Sequence, residues 1–214
     1  VKGDSGTIYI RADGSIDPPT ASITSADNVI YTFIDDITSD VDGIVVERSN
    51  IIIDGDGYTL HGTASWESKG IYLSSVSNVT IKKMNINQFI YGVYISGSSC
   101  NTILGNNITG GYAIWIDSSS NNSISGNSIV SGTGIYLSGS YNTISESNLT
   151  SQCGMELYGS YNTVSQNNVR GAYGYGVLLS GSYNIISGNE IANSGPVASG
   201  GSVDPGGVGV IISG

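Results

Sequence analysis

The carboxylates of this sequence are concentrated in its first third, where they could bind a metal ion. Twelve of the seventeen acidic residues lie between Asp4 and Glu67. The densest groups are Asp54 and Asp56 in the segment DGDG, and the aspartates of DDITSDVD at 35–42. Hard oxygen ligands at such spacing could hold calcium. Asp and Gly also form turns between strands, so the same segments could serve structure alone.

The other acids do not form an obvious catalytic set. Cleavage of a polysaccharide needs carboxylates gathered on one outer face, as a metal site or as a general acid and base. The acids of the regular repeats are widely separated: Asp117, Glu146, Glu156 and Glu190. His61 is the only histidine in the sequence. We therefore predict no catalytic residues. A polysaccharide lyase, hydrolase or epimerase remains the alternative to a binding or structural protein.

Aromatic residues recur at a nearly constant spacing and offer the clearest binding chemistry. Tyr72, Tyr94, Trp115 and Tyr136 follow one another at intervals of 21 or 22 residues, and Glu156 takes the next place. If exposed together, the four aromatic residues would form a flat apolar strip, with Glu156 at its end, that could stack on the pyranose rings of a polysaccharide or dock a partner subunit. They could also only stabilise a sheet through cross-strand pairs. All three interpretations stay open.

Such a row requires a repeated element that brings equivalent positions together. Copies of a unit of 20 to 22 residues begin at Gly70, Gly92, Ala113, Gly134, Gly154 and Gly176, with a degenerate copy at Gly43 and a last opening at Gly209. Each copy carries three short apolar stretches with the alternation typical of strands. The first stretch should point these pairs inward: Ile71 and Leu73, Val93 and Ile95, Ile114 and Ile116, Ile135 and Leu137, Met155 and Leu157, Val177 and Leu179.

Three short strands per coil, repeated in register, predict an all-β parallel solenoid, because stacked coils bury a core that no single coil can cover. Leucine-rich repeats lack support in the sequence, and hexapeptide solenoids have shorter coils, so a right-handed parallel β-helix fits best. We predict one domain over 1–214. It comprises an irregular entry and first rung (1–42), regular coils (43–194), a loop insertion (195–208) and the start of a further coil (209–214).

The repeat also predicts ladders of identical residues. A stacked column of asparagine amides can satisfy its own donors and acceptors and those of the turns; we expect one at Asn101, Asn122, Asn142, Asn162 and Asn184. Stacked tyrosines in the SGSYN turns should shield it: Tyr141, Tyr161 and Tyr183. Four asparagines stand in N-x-Ser/Thr sequons and are candidates for glycosylation: Asn78, Asn107, Asn121 and Asn148.

Several segments resemble the NosD-like, or CASH-domain, proteins built of parallel β-helix repeats. They are NTILGNNI at 101–108, NNSISGNSI at 121–129, SNVTIKKMNI at 77–86, and the lead-in YIRADGSIDPPTASI at 9–23 followed by GIVVERSNIIIDGDGYTL at 43–60. The resemblance covers nearly the whole chain and implies a right-handed β-helix, with a lead-in similar to archaeal surface and secreted members. It does not specify a function, because the same fold carries polysaccharide-active enzymes, adhesins and surface fibres.

The composition argues against several classes of partner and cofactor. The net charge is −10 and only 7 residues are Lys or Arg, which argues against nucleic acid binding. No apolar run is long enough to span a bilayer. Copper would need several His, Met or Cys ligands, which one histidine, two methionines and two cysteines do not obviously supply. We expect free thiols at Cys100 and Cys153, no cofactor unless calcium binds, and an extracellular or cell-surface scaffold. It could bind glycans, and its C-terminal coil end could be covered by further repeats or by a second subunit in a filament or dimer.

Overall fold

The chain forms a parallel β-solenoid of about seven turns, with the architecture of the predicted right-handed parallel β-helix. The computed structural model describes residues 6–171, 174–193, 197–199, 202–204 and 210–213. Within these ranges the secondary structure is entirely β, without a helix. Accordingly, the described part of the chain has no helix with the length and apolarity needed to cross a membrane.

The strands of the first coils are short, with lengths of two to six residues. They are β1 (Ile8–Ile10), β2 (Ile16–Asp17), β3 (Ile23–Thr24), β4 (Ile30–Phe33), β5 (Ile37–Thr38), β6 (Ile44–Val46), β7 (Ile51–Asp54), β8 (Thr59–His61), β9 (Lys69–Ser74) and β10 (Val79–Lys82). Two antiparallel pairs, β1 with β2 and β3 with β4, mark the irregular entry, whereas the strands from β6 to β22 pair in parallel.

The middle coils alternate one long strand with one short strand. They contain β11 (Asn85–Ser96), β12 (Thr102–Leu104), β13 (Asn107–Asp117), β14 (Ser123–Ser125), β15 (Ser128–Ser138), β16 (Thr143–Ser145), β17 (Asn148–Tyr158) and β18 (Thr163–Ser165). The last part contains β19 (Asn168–Gly171), β20 (Val177–Ser180), β21 (Ile185–Ser187), β22 (Glu190–Asn193), β23 (Val197–Ser199), β24 (Ser202–Asp204) and β25 (Val210–Ser213).

These strands form two main walls. The long-strand wall follows the order β2-β1-β6-β9-β11-β13-β15-β17-β19-β22, and the short-strand wall follows β21-β18-β16-β14-β12-β10-β7-β4-β3. Each coil therefore lies directly on the next, and each residue lies beside its counterpart one repeat away. This stacking is what turns a sequence repeat into columns of side chains.

The three predicted stretches per coil are present, but two of them run together in the middle of the helix. The third stretch of one coil continues into the first stretch of the next as a single strand of eleven or twelve residues. The reason is that the intervening residues also pair across coils, as in Val130 with Thr150 and Thr133 with Cys153. In earlier and later coils the two stretches are separate strands, such as β8 and β9.

The apolar core fills the space between the walls. All twelve residues predicted to point inward from the first stretch are buried, from Ile71 and Leu73 to Val177 and Leu179. Burial of one such side chain stabilises the fold by about 1.5–3 kcal/mol. The outward neighbours on the same strands are half-buried rather than fully exposed.

The repeated SGSYN turn shows why the sequence is so similar from coil to coil. A Cβ on Gly159 would lie 2.1 Å from the carbonyl oxygen of Gly139 one coil earlier, so only glycine fits. Ser160 donates its backbone N–H to Ser140 Oγ at 3.1 Å. The next two residues form the tyrosine and asparagine columns. Each residue of the turn thus has a separate stacking role, and a change at one position affects the coils above and below.

The predicted loop insertion at 195–208 and the opening at Gly209 lie largely outside the described residues. Within this segment, β23 and β24 form an antiparallel pair. Beyond it, β25 pairs in parallel with β20, Val210 opposite Val177, as a further rung of the long-strand wall.

Candidate functional site: an aromatic patch on the long-strand wall

The long-strand wall places the predicted aromatic residues side by side. The backbone register pairs Tyr72 of β9 with Tyr94 of β11, then Trp115 of β13, Tyr136 of β15 and Glu156 of β17. Because side chains alternate along a strand, the burial of the flanking core residues turns these five outward. All five side chains are half-buried.

The aromatic rings stack on one another instead of forming a flat strip. Trp115 and Tyr136 are stacked with ring centroids 3.8 Å apart and planes inclined by 12°. Tyr94 and Trp115 are stacked at 6.4 Å and 5°, and Tyr72 meets Tyr94 edge to face at 5.6 Å. The expected flat arrangement is therefore replaced by a column in which ring faces contact neighbouring rings.

A second row of tyrosines, which the sequence did not single out, packs against this column. Tyr91 and Tyr112 stack on each other at 5.2 Å and 16°. Both meet Trp115 nearly at right angles, at 5.6 Å and 5.1 Å. The 21-residue spacing of these two tyrosines is a sequence signal for this row. A register shift between Ile86 and Phe89 interrupts the alternation that would have marked them as outward-facing.

Acidic and aromatic groups close the C-terminal end of the patch. Tyr158 lies 5.6 Å from Tyr136. Burial, followed by the neighbouring Glu156 carboxylate, raises the pKa of both Tyr158 and Tyr175. Burial likewise raises the pKa of the Cys153 thiol, which makes it a poor nucleophile at neutral pH. We call the set Tyr72, Tyr91, Tyr94, Tyr112, Trp115, Tyr136 and Tyr158 the aromatic patch.

A single lysine borders the N-terminal end of the patch. The Lys69 ammonium lies 5.4 Å from the ring centre of Tyr72 and 5.6 Å from that of Tyr94. These distances are typical of cation–π contacts. The same ammonium is 4.0 Å from an Asp42 carboxylate oxygen. Carboxylates lie near the rest of the patch. Burial raises the pKa of Tyr94, and the charge of the nearby Asp117 raises it further.

The acidic segments singled out as possible calcium sites are engaged in structural contacts. Asp54 forms an ion pair with Lys82 at 3.0 Å and accepts the backbone N–H of Asp56 at 3.0 Å. Burial acts to raise the pKa of Asp54. The hydrogen bonds from Lys82 and from the Asp56 N–H act in the opposite direction and outweigh burial, so the pKa lies below its ordinary value. In the 35–42 segment, Asp36 accepts the N–H of Thr59 at 2.7 Å.

The residues that could bind a softer metal are dispersed. Met84 and Met155 are buried in the core, Cys100 is exposed in a turn, and Cys153 and His61 lie on different strands of the long-strand wall. Both cysteines are free. Across the described ranges, no group of three or more His, Cys, Asp or Glu residues is arranged to hold a metal ion.

The five predicted ladder asparagines lie in one column along the corner of the helix. Asn142 Oδ1 accepts the backbone N–H of Asn122 at 2.9 Å, and Asn142 in turn donates its N–H to Asn162 Oδ1 at 2.9 Å. The Asn142 amide also donates to the carbonyl of Ser119 at 3.2 Å. The same pattern joins Asn101 at one end to Asn184 at the other. The column thus satisfies buried backbone groups at each turn.

The four sequon asparagines are all exposed. Asn107 and Asn148 lie on long strands, at β13 and β17. Asn78 and Asn121 occupy turns with left-handed backbone, at φ 56° and 58°. Glycosylation at these positions stays a prediction.

The comparison with protein families supplies one match. The family described as periplasmic copper-binding protein (NosD) matches residues 3–154 and 111–198. No curated protein and no solved structure matches the chain. The two matched ranges overlap and together extend over most of the β-helix, including every residue of the aromatic patch.

Proposed function

Because the chain belongs to the NosD family, we propose that it is a β-helix scaffold of the cell envelope or the extracellular space that holds a glycan on its aromatic patch. The envelope location rests on the word periplasmic in the family description. The copper in that description has no counterpart among the residues described above. The proposal therefore includes no metal, and an archaeal origin stays a prediction from the resemblance alone.

The observation that carries this proposal is the two-row aromatic patch. Seven aromatic side chains lie on five adjacent strands, and carboxylates at Asp117 and Glu156 stand among them. Six of the seven residues are tyrosines, whose phenol hydroxyls accompany the rings, so the patch mixes apolar and hydrogen-bonding groups. A sugar presents the same mixture, with C–H groups beside hydroxyls. A protein partner would be served better by a continuous apolar face.

The test is retention on glycans by the intact protein and by a patch variant. We expect the Tyr94→Ala, Trp115→Ala double variant to lose retention on the polymers that the wild type binds. The matched control is Tyr161→Ala, Tyr183→Ala, which removes two aromatic rings from the turns of the same helix and should bind as the wild type does. Circular dichroism must show the β spectrum for both.

A milder change protects the test against loss of folding. Tyr94→Phe with Tyr136→Phe keeps the rings and removes only two hydroxyls, and we expect retention to weaken severalfold. Equal retention by wild type and both patch variants would overturn the proposal. Light scattering of the same samples tests whether the patch instead contacts a second subunit. If the wild type retains no glycan and the patch variant changes its oligomeric state, subunit contact is favoured. Release of shortened sugars by the wild type would favour the enzyme alternative.

A further inference from the structure

The loop between β8 and β9 carries the most exposed large hydrophobic side chain among those described. Trp66 is 89% exposed, whereas the other tryptophan, Trp115, is half-buried in the aromatic patch. An indole ring is among the largest apolar groups that a protein can bury, and soluble proteins usually shield it. Its position on a loop, outside the alternation of the strands, is why the sequence did not mark it as part of a site.

The backbone that presents Trp66 is fixed on both sides. Ala64 donates its N–H to the carbonyl of Gln88 at 2.6 Å, and Ser65 Oγ donates to the carbonyl of Asp40 at 2.6 Å. Ser68 donates its N–H to the carbonyl of Ser65 at 3.1 Å, closing the turn around Trp66. The loop is therefore held in place while its largest side chain is directed to solvent. Because the backbone of the loop is already fixed, ligand binding would need to order only the Trp66 side chain.

This loop is continuous with the aromatic patch. The carbonyl of Ser68 accepts the backbone N–H of Tyr91 at 3.0 Å. The adjacent Lys69 contacts the rings of Tyr72 and Tyr94. A shallow cleft of about 280 Å³ lies beside this loop, lined by Trp66, Glu67 and Lys69 together with Thr7, Val41 and Asp42 of the preceding coil, and it meets the patch only through Lys69.

We propose that Trp66 forms a sugar-stacking subsite at the end of the patch, and that its occupant is a hexose polymer without acid groups. This inference rests on the glycan-binding function proposed above and adds to it an aromatic ring whose face is open to a sugar. Rings within the patch contact one another, whereas the Trp66 ring is open to a pyranose.

Charge decides against an acidic polymer. Glu67 lies beside Trp66, and Asp117 and Glu156 stand along the patch, within a protein of net charge −10. The one lysine at this junction, Lys69, is shared with Asp42. A uronic acid polymer would bring its carboxylates next to these groups, and like charges at short distance repel. Neutral or amine-bearing hexoses meet no such repulsion.

The chain has 2 tryptophans, so each can be observed separately by fluorescence. Trp115→Phe leaves Trp66 as the only fluorophore, and Trp66→Phe leaves Trp115. The probes are cello-oligosaccharide, chitosan oligosaccharide and oligogalacturonate. We expect the first two to shift the Trp66 emission and to protect it from quenching by iodide. Oligogalacturonate should bind at least about tenfold more weakly at low salt.

The decisive variant is Trp66→Ala. We expect about tenfold weaker binding of the two non-acidic sugars, with an unchanged melting temperature because the ring is exposed. Tyr183→Ala, which removes an exposed ring from the turns, serves as the matched control. If Trp66→Ala binds as the wild type does while the patch variant loses binding, this inference is overturned and the glycan-binding proposal survives. If no sugar binds the wild type, both fall. Preference for oligogalacturonate would overturn the assignment of the polymer class.

Discussion

Two columns of stacked aromatic rings run along this β-helix, and they differ in almost every other respect. The first is the aromatic patch on the long-strand wall. The second, the turn column, consists of Tyr141, Tyr161 and Tyr183 in successive SGSYN turns, with ring centroids 4.9 Å and 5.0 Å apart and planes within 12°. Six of the seven patch rings are half-buried and Tyr158 is 38% exposed, whereas the turn rings are 47–74% exposed.

The backbone beneath the two columns differs as well. The patch residues lie on strands, where aromatic side chains are favoured. The turn tyrosines adopt left-handed backbone at φ 59° to 60°, which costs a non-glycine residue about 1–2 kcal/mol. Asn121 has the equivalent place one coil before Tyr141, at φ 58°, and asparagine tolerates this conformation well.

Stacking by itself is therefore not evidence of a binding site. Coils about 4.8 Å apart bring any repeated ring onto its counterpart. What distinguishes the patch is the second row of tyrosines, the neighbouring carboxylates and the pinned loop of Trp66. The second row is confined to two coils, where Lys69 and Thr133 hold the neighbouring positions, and the loop of Trp66 lies outside the strand pattern. Each of these features can be removed separately.

The largest effect should come from the amide column beneath the turn tyrosines. Asn142→Ala removes the acceptor for the backbone N–H of Asn122 and the donor to Ser119, both buried within the corner. We expect the free energy of unfolding to fall by about 3 kcal/mol, since unpaired buried groups cost about 1–3 kcal/mol each. Urea denaturation measures this loss. The control Asn107→Ala removes an exposed amide and should cost no more than about 0.5 kcal/mol; similar losses in the two variants would contradict the role of the column.

The next effect concerns the patch itself. Trp115→Ala removes stacked contacts with Tyr94 and Tyr136 and edge-to-face contacts with Tyr91 and Tyr112. Aromatic pairs contribute about 0.5–1.5 kcal/mol each beyond their buried area, without full additivity. We expect a loss of about 2 kcal/mol in urea denaturation, and most of it restored by Trp115→Tyr. A loss within error of zero would show that the patch rings do not support one another.

The two columns also show how far sequence reasoning reached. The period and alternation determined the β-helix, the inward residues and the membership of both columns, because stacking in register follows from the repeat. Ring orientation depends on side-chain torsions and on neighbours from other strands, so the flat strip was replaced by a stack. Tyr91 and Tyr112 escaped notice because a register shift disrupts the alternation before them. Trp66 lies in a loop, where no periodicity exists to mark its direction.

A smaller effect should appear at alkaline pH. Burial, and then the charge of Asp117, raise the pKa of Tyr94 and Tyr136 above the ordinary value of 10.0. The folded state therefore holds these protons to higher pH than the unfolded chain does, so their stabilising effect is complete below pH 10 and is lost as the pH rises through the folded values. Urea midpoints should decline above that pH, and less steeply in Tyr94→Phe with Tyr136→Phe. Parallel declines in the two proteins would contradict this assignment.

The smallest effect, and the sharpest contrast with Trp115, is expected at the centre of the turn column. Tyr161→Asn installs the residue that Asn121 supplies at the same place in an earlier turn. It relieves left-handed strain of about 1–2 kcal/mol, and it removes two ring contacts of about 0.5–1.5 kcal/mol each. These changes oppose each other, so the free energy of unfolding should stay within about 1 kcal/mol of the wild type, and the ladder through Asn162 should persist. Tyr161→Ala keeps the strain and loses the contacts, and should therefore be the less stable of the two variants by urea denaturation. If Tyr161→Asn instead destabilised the protein as much as Trp115→Ala does, the turn tyrosines would be as integral to the fold as the patch, and the distinction between the two columns would fail.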